Sequence, residues 1–182
     1  MNNRIKQLCE QSIEAKIILA DTLPDLIEKA AMRLVYCLLH DGKIIICGNG
    51  GSAANALHFS SAMINRFELE RPPLPIIALS QDSTFARQIS ALGRENDVLI
   101  AISTSGQADS ILNAVHAATE RNLDIIILSG NVSGVLTKHL GPEDIEIQIA
   151  HDNIARVREL HLFILHCFCD LIEQSLFGQL TE

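Results

Sequence analysis

The chain has 182 residues, of which 48% are hydrophobic and 20% charged, and its net charge is −8. This length fits a single domain, residues 1–182, that buries its core without metals or disulfides. The acidic balance argues against direct binding to nucleic acid or to an anionic membrane, and it favours a protein or a small ligand as the partner. The five cysteines lack zinc-type spacing and indicate reduced, buried thiols.

The beginning of the chain predicts two helices, at residues 3–21 and 23–39, with Pro24 tolerated in the first turn of the second helix. Residues 1–16 are polar and helical in pattern, so we expect no secretory signal. No stretch free of charge reaches the length that spans a membrane, and the expected location is the cytoplasm.

Short β-branched runs bounded by Gly, Ser or Asp follow, and they indicate strands buried on both faces. These runs lie at 43–47, 75–79, 97–102, 124–128 and 145–149. Between them, helical patterns lie at 52–64, 107–121 and 132–140. The alternation predicts a doubly wound α/β domain over residues 43–150, with a mostly parallel five-stranded sheet.

A long helix over residues 153–177 closes the pattern, and its apolar residues cover much more than one stripe. It is either a core helix of a monomer or part of a helical bundle between subunits. The wide apolar arc favours the second interpretation, and a homotetramer is expected.

Two loops at the ends of predicted strands carry the pattern of an anion site. The stretch IICGNGGSAANALHF places Asn49, Gly50, Gly51 and Ser52 between a strand and a helix, where backbone amides and the helix dipole favour negative charge. The stretch STSGQAD repeats this arrangement with Ser103, Thr104 and Ser105. Either loop alone could be a tight turn, but two hydroxyl-rich loops at equivalent strand ends predict a phosphate or sugar-phosphate pocket.

The segments GNGGSA, the HF that follows, and ISTSG resemble the sugar isomerase (SIS) domain family, and specifically its phosphoheptose isomerase branch. The similarity continues through LGPEDIEI to RELHLFILHCFCDLIE. It implies a phosphosugar-binding α/β domain that assembles as a homotetramer with its sites between subunits.

The chain departs from the isomerase branch at residues that carry the chemistry. The heptose isomerases have a glutamate one helical turn after the histidine that matches His58, and this chain has Ala62 there, which cannot take a proton. A glutamine that is a zinc ligand in the metal-bound isomerases is replaced by Arg158, whose guanidinium has no lone pair for a metal. His166 and Glu159 match the family, but two histidines make a poor zinc set.

We therefore expect no catalytic residue, no metal and no cofactor, with His58, Arg158 and His166 as polar groups of the site.

In the second loop, Ala108 replaces a family serine and removes one phosphate contact. The family also has a longer connection with an Asn-Asp pair near residues 80–88. A true deletion and a mobile segment absent from this sequence both explain the junction, and its abruptness favours the segment.

The segments SAMINRFELERPPLP and CDLIEQSLFG resemble an initiator-associating branch of the family, whose members bind the bacterial replication initiator DnaA. Three hypotheses follow: a multivalent scaffold for DnaA, a phosphoheptose isomerase, and a sugar-phosphate-sensing module without a protein client. Ala62 and Arg158 favour the first over the second. Leu176 and Phe177, at the end of the closing helix, are the candidate partner contacts, and the alternative is that both pack on a neighbouring subunit.

Overall fold

The computed structural model describes residues 1–105, 108–131 and 136–178. Its helices are α1 (Asn2–Thr22), α2 (Pro24–Leu39), α3 (Gly51–Ile64), α4 (Phe85–Leu92), α5 (Asp109–Glu120) and α6 (Ile154–Phe177). Its strands are β1 (Ile44–Gly48), β2 (Ile76–Ala78), β3 (Val98–Ser103), β4 (Asp124–Ser129) and β5 (Ile145–Gln148).

The strands form one parallel sheet in the order β2-β1-β3-β4-β5. Residues of β1, β3 and β4 pair in register, for example Ile46 with Ile100 and Ile100 with Ile126. All residues of β1 and β3 are buried, because helices cover both faces of the sheet. The predicted doubly wound α/β fold is confirmed.

Two apolar clusters lie on the two faces of the sheet. The larger one joins α2, α3 and α6 to the sheet, with buried side chains that include Leu34, Phe59 and Phe168. The smaller one joins α4 and α5 to the opposite face, through residues such as Phe85 and Ile111. The carboxyl ends of β1 and β3 therefore meet the helix starts of α3 and α5 at one edge of the sheet.

Helix α6 packs its apolar side into the core of a single chain. Val157, Leu160, Ile164, Leu165, Phe168 and Ile172 are buried. By length and a mean hydropathy of 1.3 it is the one helix in the described ranges that could cross a membrane, but 44% of that window is buried in the protein. Its wide apolar arc is thus explained by the core, and the bundle between subunits stays a prediction.

Two sequence expectations were wrong, and one element, helix α4, was not predicted. The helix expected over residues 132–140 is one 3₁₀ turn, Thr137–His139, in its described part, and residues 132–135 lie outside the described ranges. Thr137 donates its hydroxyl to Glu146, and Pro142 disfavours helical backbone at the residue before it. Cys9 is exposed rather than buried.

The predicted helix at 107–121 begins at Asp109, and Gln107 lies outside the described residues. Between β2 and α4 the chain makes a 3₁₀ turn, Asp82–Thr84, preceded by Gln81 at a left-handed φ of 65°. The choice between a true deletion here and a mobile segment absent from this sequence is untested, and the segment stays the prediction.

Candidate functional site

The loop between β1 and α3 depends on glycine at two positions. Gly50 has a φ of 54° and a ψ of −120°, a conformation that side chains rarely adopt. A Cβ on Gly48 would lie 2.8 Å from the Cβ of Ser52. The tight turn therefore brings the start of α3, with Ser52 largely buried, directly onto the end of β1.

The two predicted loops lie side by side. A cavity of about 50 Å³ is lined by Asn49, Ser52, Ile102, Ser103, Thr104, Ser105, Ala108 and Ile111. The Asn49 amide nitrogen donates to the Ser110 hydroxyl at 2.7 Å, which ties the first loop to α5. Gly50 and Gly51 shape the neighbouring turn rather than the cavity wall. The arrangement places hydroxyls where an anion could bind, and the methyl of Ala108 faces the same space.

One polar atom of this cavity is unsatisfied. The side-chain oxygen of Asn49 is buried and has no hydrogen-bond partner within the described part of the chain. A buried acceptor without a donor carries an energetic cost. A ligand hydroxyl in the cavity would remove that cost.

A buried histidine supports the adjacent loop after β4. The Nε2 atom of His161 lies 3.0 Å from the carbonyl oxygen of Ser129. Burial lowers the pKa of His161 to about 4, although the Ser129 carbonyl opposes this, so the ring is neutral at pH 7. Next to it, a Cβ on Gly130 would lie 2.2 Å from the carbonyl oxygen of Thr104, so the β4 loop packs tightly on the second anion loop. Sequence reasoning missed His161, whose only signal is a histidine on the apolar side of α6.

His58 on α3 and His166 on α6 are in contact. Their Nε2 atoms are 2.9 Å apart, and the ring of Phe67 lies 5.4 Å from that of His166. At this distance one Nε2 atom donates a hydrogen bond and the other accepts it, so a single proton lies between the two nitrogens. Partial burial and the neighbouring His58 lower the pKa of His166.

Ala62 lies one turn after His58 and packs at the edge of the larger apolar cluster. Its carbonyl oxygen accepts a hydrogen bond from Arg71 at 3.2 Å. No carboxylate in the described ranges hydrogen-bonds to either imidazole of the His58–His166 pair. Among these residues no group of three or more His, Cys, Asp or Glu side chains could hold a metal ion. That this chain holds no zinc stays a prediction.

Arg158 lies against the start of α3. A Cβ on Gly51 would lie 2.9 Å from Nε and 3.1 Å from Cζ of this arginine. The Asn55 amide donates to the backbone oxygen of Arg158 at 3.1 Å, which fixes α6 beside α3. The structure thus brings Arg158 to the anion loop, while His58 and His166 meet about two turns further along the same helices.

A buried ion pair connects the turn after α3 to α6. The Glu173 carboxylate accepts hydrogen bonds from the backbone amides of Phe67, Glu68 and Leu69 at 2.8–2.9 Å and from Arg71 Nε at 3.0 Å. Both side chains are almost fully buried, at 0% and 1% exposure. Sequence reasoning did not identify this network.

The candidate partner residues lie at the end of α6. Leu176 and Phe177 are partly exposed, and Leu176 packs against the larger apolar cluster. The helix ends at Gly178, whose amide bonds to the carbonyl oxygens of Glu173 and Gln174. Their role as partner contacts stays a prediction.

This fold and these two loops define a SIS-type domain, and residues 9–130 match the SIS domain family. The chain belongs to this family. It is 44% identical to a phosphoheptose isomerase of Shewanella loihica, with 98% of each chain covered. It is also 47% identical to the DnaA initiator-associating protein DiaA of Citrobacter koseri, with 97% of each chain covered.

A solved structure of a phosphoheptose isomerase from Francisella tularensis matches with a TM-score of 0.90 and 42% identity, covering 94% of this chain and 97% of that one. The alignment with the Shewanella protein spans 193 positions, more than the 182 residues of this chain, so that relative has residues that this chain lacks. Relatives of similar identity therefore carry two different names, one of an enzyme and one of an initiator-associating protein.

Proposed function

We propose that this protein is a non-catalytic SIS-domain homotetramer that binds the replication initiator DnaA in the cytoplasm and promotes timely initiation of chromosomal replication. The observation that carries the proposal is the pair Ala62 and Arg158, which stand beside His58 and the anion loop where the isomerases have a glutamate and a glutamine. A methyl and a guanidinium supply neither a base nor a metal ligand. The 47% identical relative, whose name states an association with DnaA, supports the same function.

The anion pocket is part of this proposal. The hydroxyls of Ser52, Ser103, Thr104 and Ser105 and the backbone of Asn49 would hold the phosphate of a phosphorylated sugar or another anion, with the backbone of Gly50 and Gly51 contributing from the adjoining turn. The α3 dipole adds favourable charge. Binding is expected to be weak, because Ala108 offers no hydroxyl. No metal and no cofactor takes part.

Assembly explains how such a fold could act on DnaA. A homotetramer presents several copies of one surface, and linked sites raise the effective concentration even when each contact is weak. The net charge of −8 suits a basic, DNA-handling partner, with no direct contact to nucleic acid. Leu176 and Phe177 would supply the apolar anchors of each contact.

The second candidate function is phosphoheptose isomerase. The names of the Shewanella and Francisella relatives favour it, as does the preserved His58–His166 pair. It requires one of these imidazoles to move the proton without the glutamate. Turnover of sedoheptulose 7-phosphate at about 1 per second or more would establish it over the first proposal.

The partner proposal is tested with the double variant Leu176→Ala and Phe177→Ala. Binding to purified DnaA is measured by surface plasmon resonance, and the mass of the assembly is measured on the same samples by light scattering. We expect lost DnaA binding with an intact tetramer. Leu92→Ala is the control, since Leu92 is 42% exposed on α4, on the opposite face of the sheet. Unchanged binding, or a tetramer that falls apart, would refute the anchor role, and wild-type protein that does not bind DnaA would refute the proposed function.

A further inference from the structure

Arg158 adds a positive charge at a place that is already positive. The helix dipole places partial positive charge at the first residues of α3, where the amides of Ser52 and Ala53 already donate to the carbonyl oxygens of Asn49 and Gly50. The Arg158 guanidinium lies over Gly51, the residue at which α3 begins. A cation at this end of a helix is unfavourable unless an anion accompanies it.

The described part of the chain does not supply that anion. In residues 1–105, 108–131 and 136–178, no carboxylate oxygen lies within 4.0 Å of the Arg158 guanidinium. The next residue, Glu159, is already paired with Lys16 at 3.2 Å and with Arg156 at 2.7 Å, and it also accepts from Ser12 of α1. Arg158 is therefore an unpaired cation in a chain of net negative charge.

The hydroxyl-lined cavity and Arg158 flank the same helix start from opposite sides. The cavity lies between the β1 and β3 loops on the side of α5, whereas Arg158 comes from α6, on the other face of the sheet. Independently, the buried, unpartnered oxygen of Asn49 in the cavity wall lacks a donor. A polyhydroxylated ligand supplies such a donor, and one with two anionic ends offers an anion to each position.

We propose that Arg158 is a specificity-determining residue, which makes the pocket select a phosphorylated sugar acid over a phosphorylated neutral sugar. The phosphate lies in the serine-rich cavity, and the carboxylate pairs with the planar fork of the guanidinium. This inference rests on the anion pocket of the proposed function. Arg158 then has a binding role of its own, in addition to replacing the glutamine that is a metal ligand in the metal-bound isomerases.

The test uses two ligands that differ only in the second charge. 6-Phosphogluconate and sorbitol 6-phosphate share the carbon chain and the phosphate, and only the first carries a carboxylate. Affinities are measured by calorimetry for the full-length protein and for Arg158→Gln, Arg158→Lys and Arg94→Gln. Arg94 is the control, an exposed arginine just before β3, at the opposite edge of the sheet.

We expect the wild type to bind 6-phosphogluconate about tenfold more tightly than sorbitol 6-phosphate, because a charged hydrogen-bond pair is gained. Arg158→Gln should abolish this preference, so that the two ligands bind with equal affinity. Arg158→Lys should keep part of the preference, and Arg94→Gln all of it.

The outcomes separate this inference from the proposed pocket. Equal binding of the two ligands by the wild type, or a preference that survives in Arg158→Gln, overturns the role of Arg158 and leaves the pocket in place. If the wild type binds neither ligand, the anion pocket itself is refuted and the inference with it. Melting curves of each variant confirm that the compared proteins are folded.

Discussion

At the scale of single residues, Gly50 shows how a loop position limits the choice of amino acid. Its φ of 54° with a ψ of −120° suits glycine alone, although no atom lies within 4 Å of a Cβ built there. The constraint therefore comes from the backbone and not from crowding. This loop sets the position of Ser52 and of the α3 amides.

We predict that Gly50→Ala lowers the free energy of unfolding by about 1–3 kcal/mol, because alanine is strained in this conformation. Urea denaturation measures the change. Gly141→Ala is the matched control, since a Cβ at Gly141 meets only the Asp144 carboxylate, at 3.4 Å, and should change stability by less than about 0.5 kcal/mol. Equal effects of the two substitutions would contradict the strain argument.

Ala62 is the residue that most directly separates the chain from the isomerases. We predict that Ala62→Glu alone does not produce turnover of sedoheptulose 7-phosphate near 1 per second. Arg158 would still offer no lone pair, and residues 80–88 contain no Asn-Asp pair of the kind that the family has there. A coupled assay of purified wild type and variant measures the rate, with a known phosphoheptose isomerase as positive control. Robust turnover by the variant would show that one carboxylate completes the site.

At the scale of elements, α6 and the turn after α3 form one unit through Glu173 and Arg71. Burial of the Glu173 carboxyl opposes its ionisation. Hydrogen bonds from the amides of residues 67–69 and the charge of Arg71 outweigh this effect, and the pKa of Glu173 lies below its usual value. The charged form thus stabilises the fold.

We predict that Glu173→Ala lowers the free energy of unfolding by about 3–5 kcal/mol, because the Arg71 guanidinium and three backbone amides lose their buried partner. Chemical denaturation at pH 7 is the measurement. Glu70→Ala serves as control on the same turn, since Glu70 is 82% exposed in its ion pair with Arg66 and should contribute about 0–1 kcal/mol. A similar small loss for both variants would rule out a stabilising network.

The same carboxylate gives a pH dependence with a definite sign. Because its pKa is lower in the folded state, its stabilising contribution is complete above the unfolded value of 4.5 and is lost as the pH falls through the folded value. We predict that the stability difference between wild type and Glu173→Gln shrinks when urea denaturation is moved from pH 6 towards pH 3. A difference that stays constant over this range would contradict the assignment.

At the scale of the whole molecule, a single chain buries only a small part of α1. Only Ala15 and Leu19 of its 21 residues are buried. Ile5, Ile13 and Ile17 share one side of the helix and are 59%, 58% and 56% exposed. A helix with so little buried surface needs further packing to be stable.

We predict a homotetramer at micromolar concentration, with α1 in its interfaces. Ile13→Glu combined with Ile17→Glu should reduce the assembly to smaller species, because charges would be buried in an apolar contact. Leu92→Glu should leave the mass unchanged, because the Leu92 side chain on α4 is 42% exposed. Solution scattering reports the mass of each protein, and a monomeric wild type would refute the prediction.

The sequence alone determined the layers of the fold and the two loops of the pocket, since both depend on local signals. The β-branched runs and the helical patterns are each recognisable from a few consecutive residues. The same holds for Gly50, Ser52 and Ser103, which follow or end predicted strands. Family resemblance added the losses at Ala62 and Arg158. The 3₁₀ turn at Thr137–His139, helix α4 and exposed Cys9 were predicted wrongly or missed, because tertiary contacts outweigh short patterns there.

Only the tertiary structure decided how α6 meets the rest of the chain. The approach of Arg158 to Gly51, the contact of His58 with His166, and the pairing of Glu173 with Arg71 each join residues about a hundred positions apart. No local pattern specifies such contacts, because they depend on the docking angle and register of a helix against the sheet. The same docking buried the apolar side of α6 in one chain and left the apolar stripe of α1 exposed.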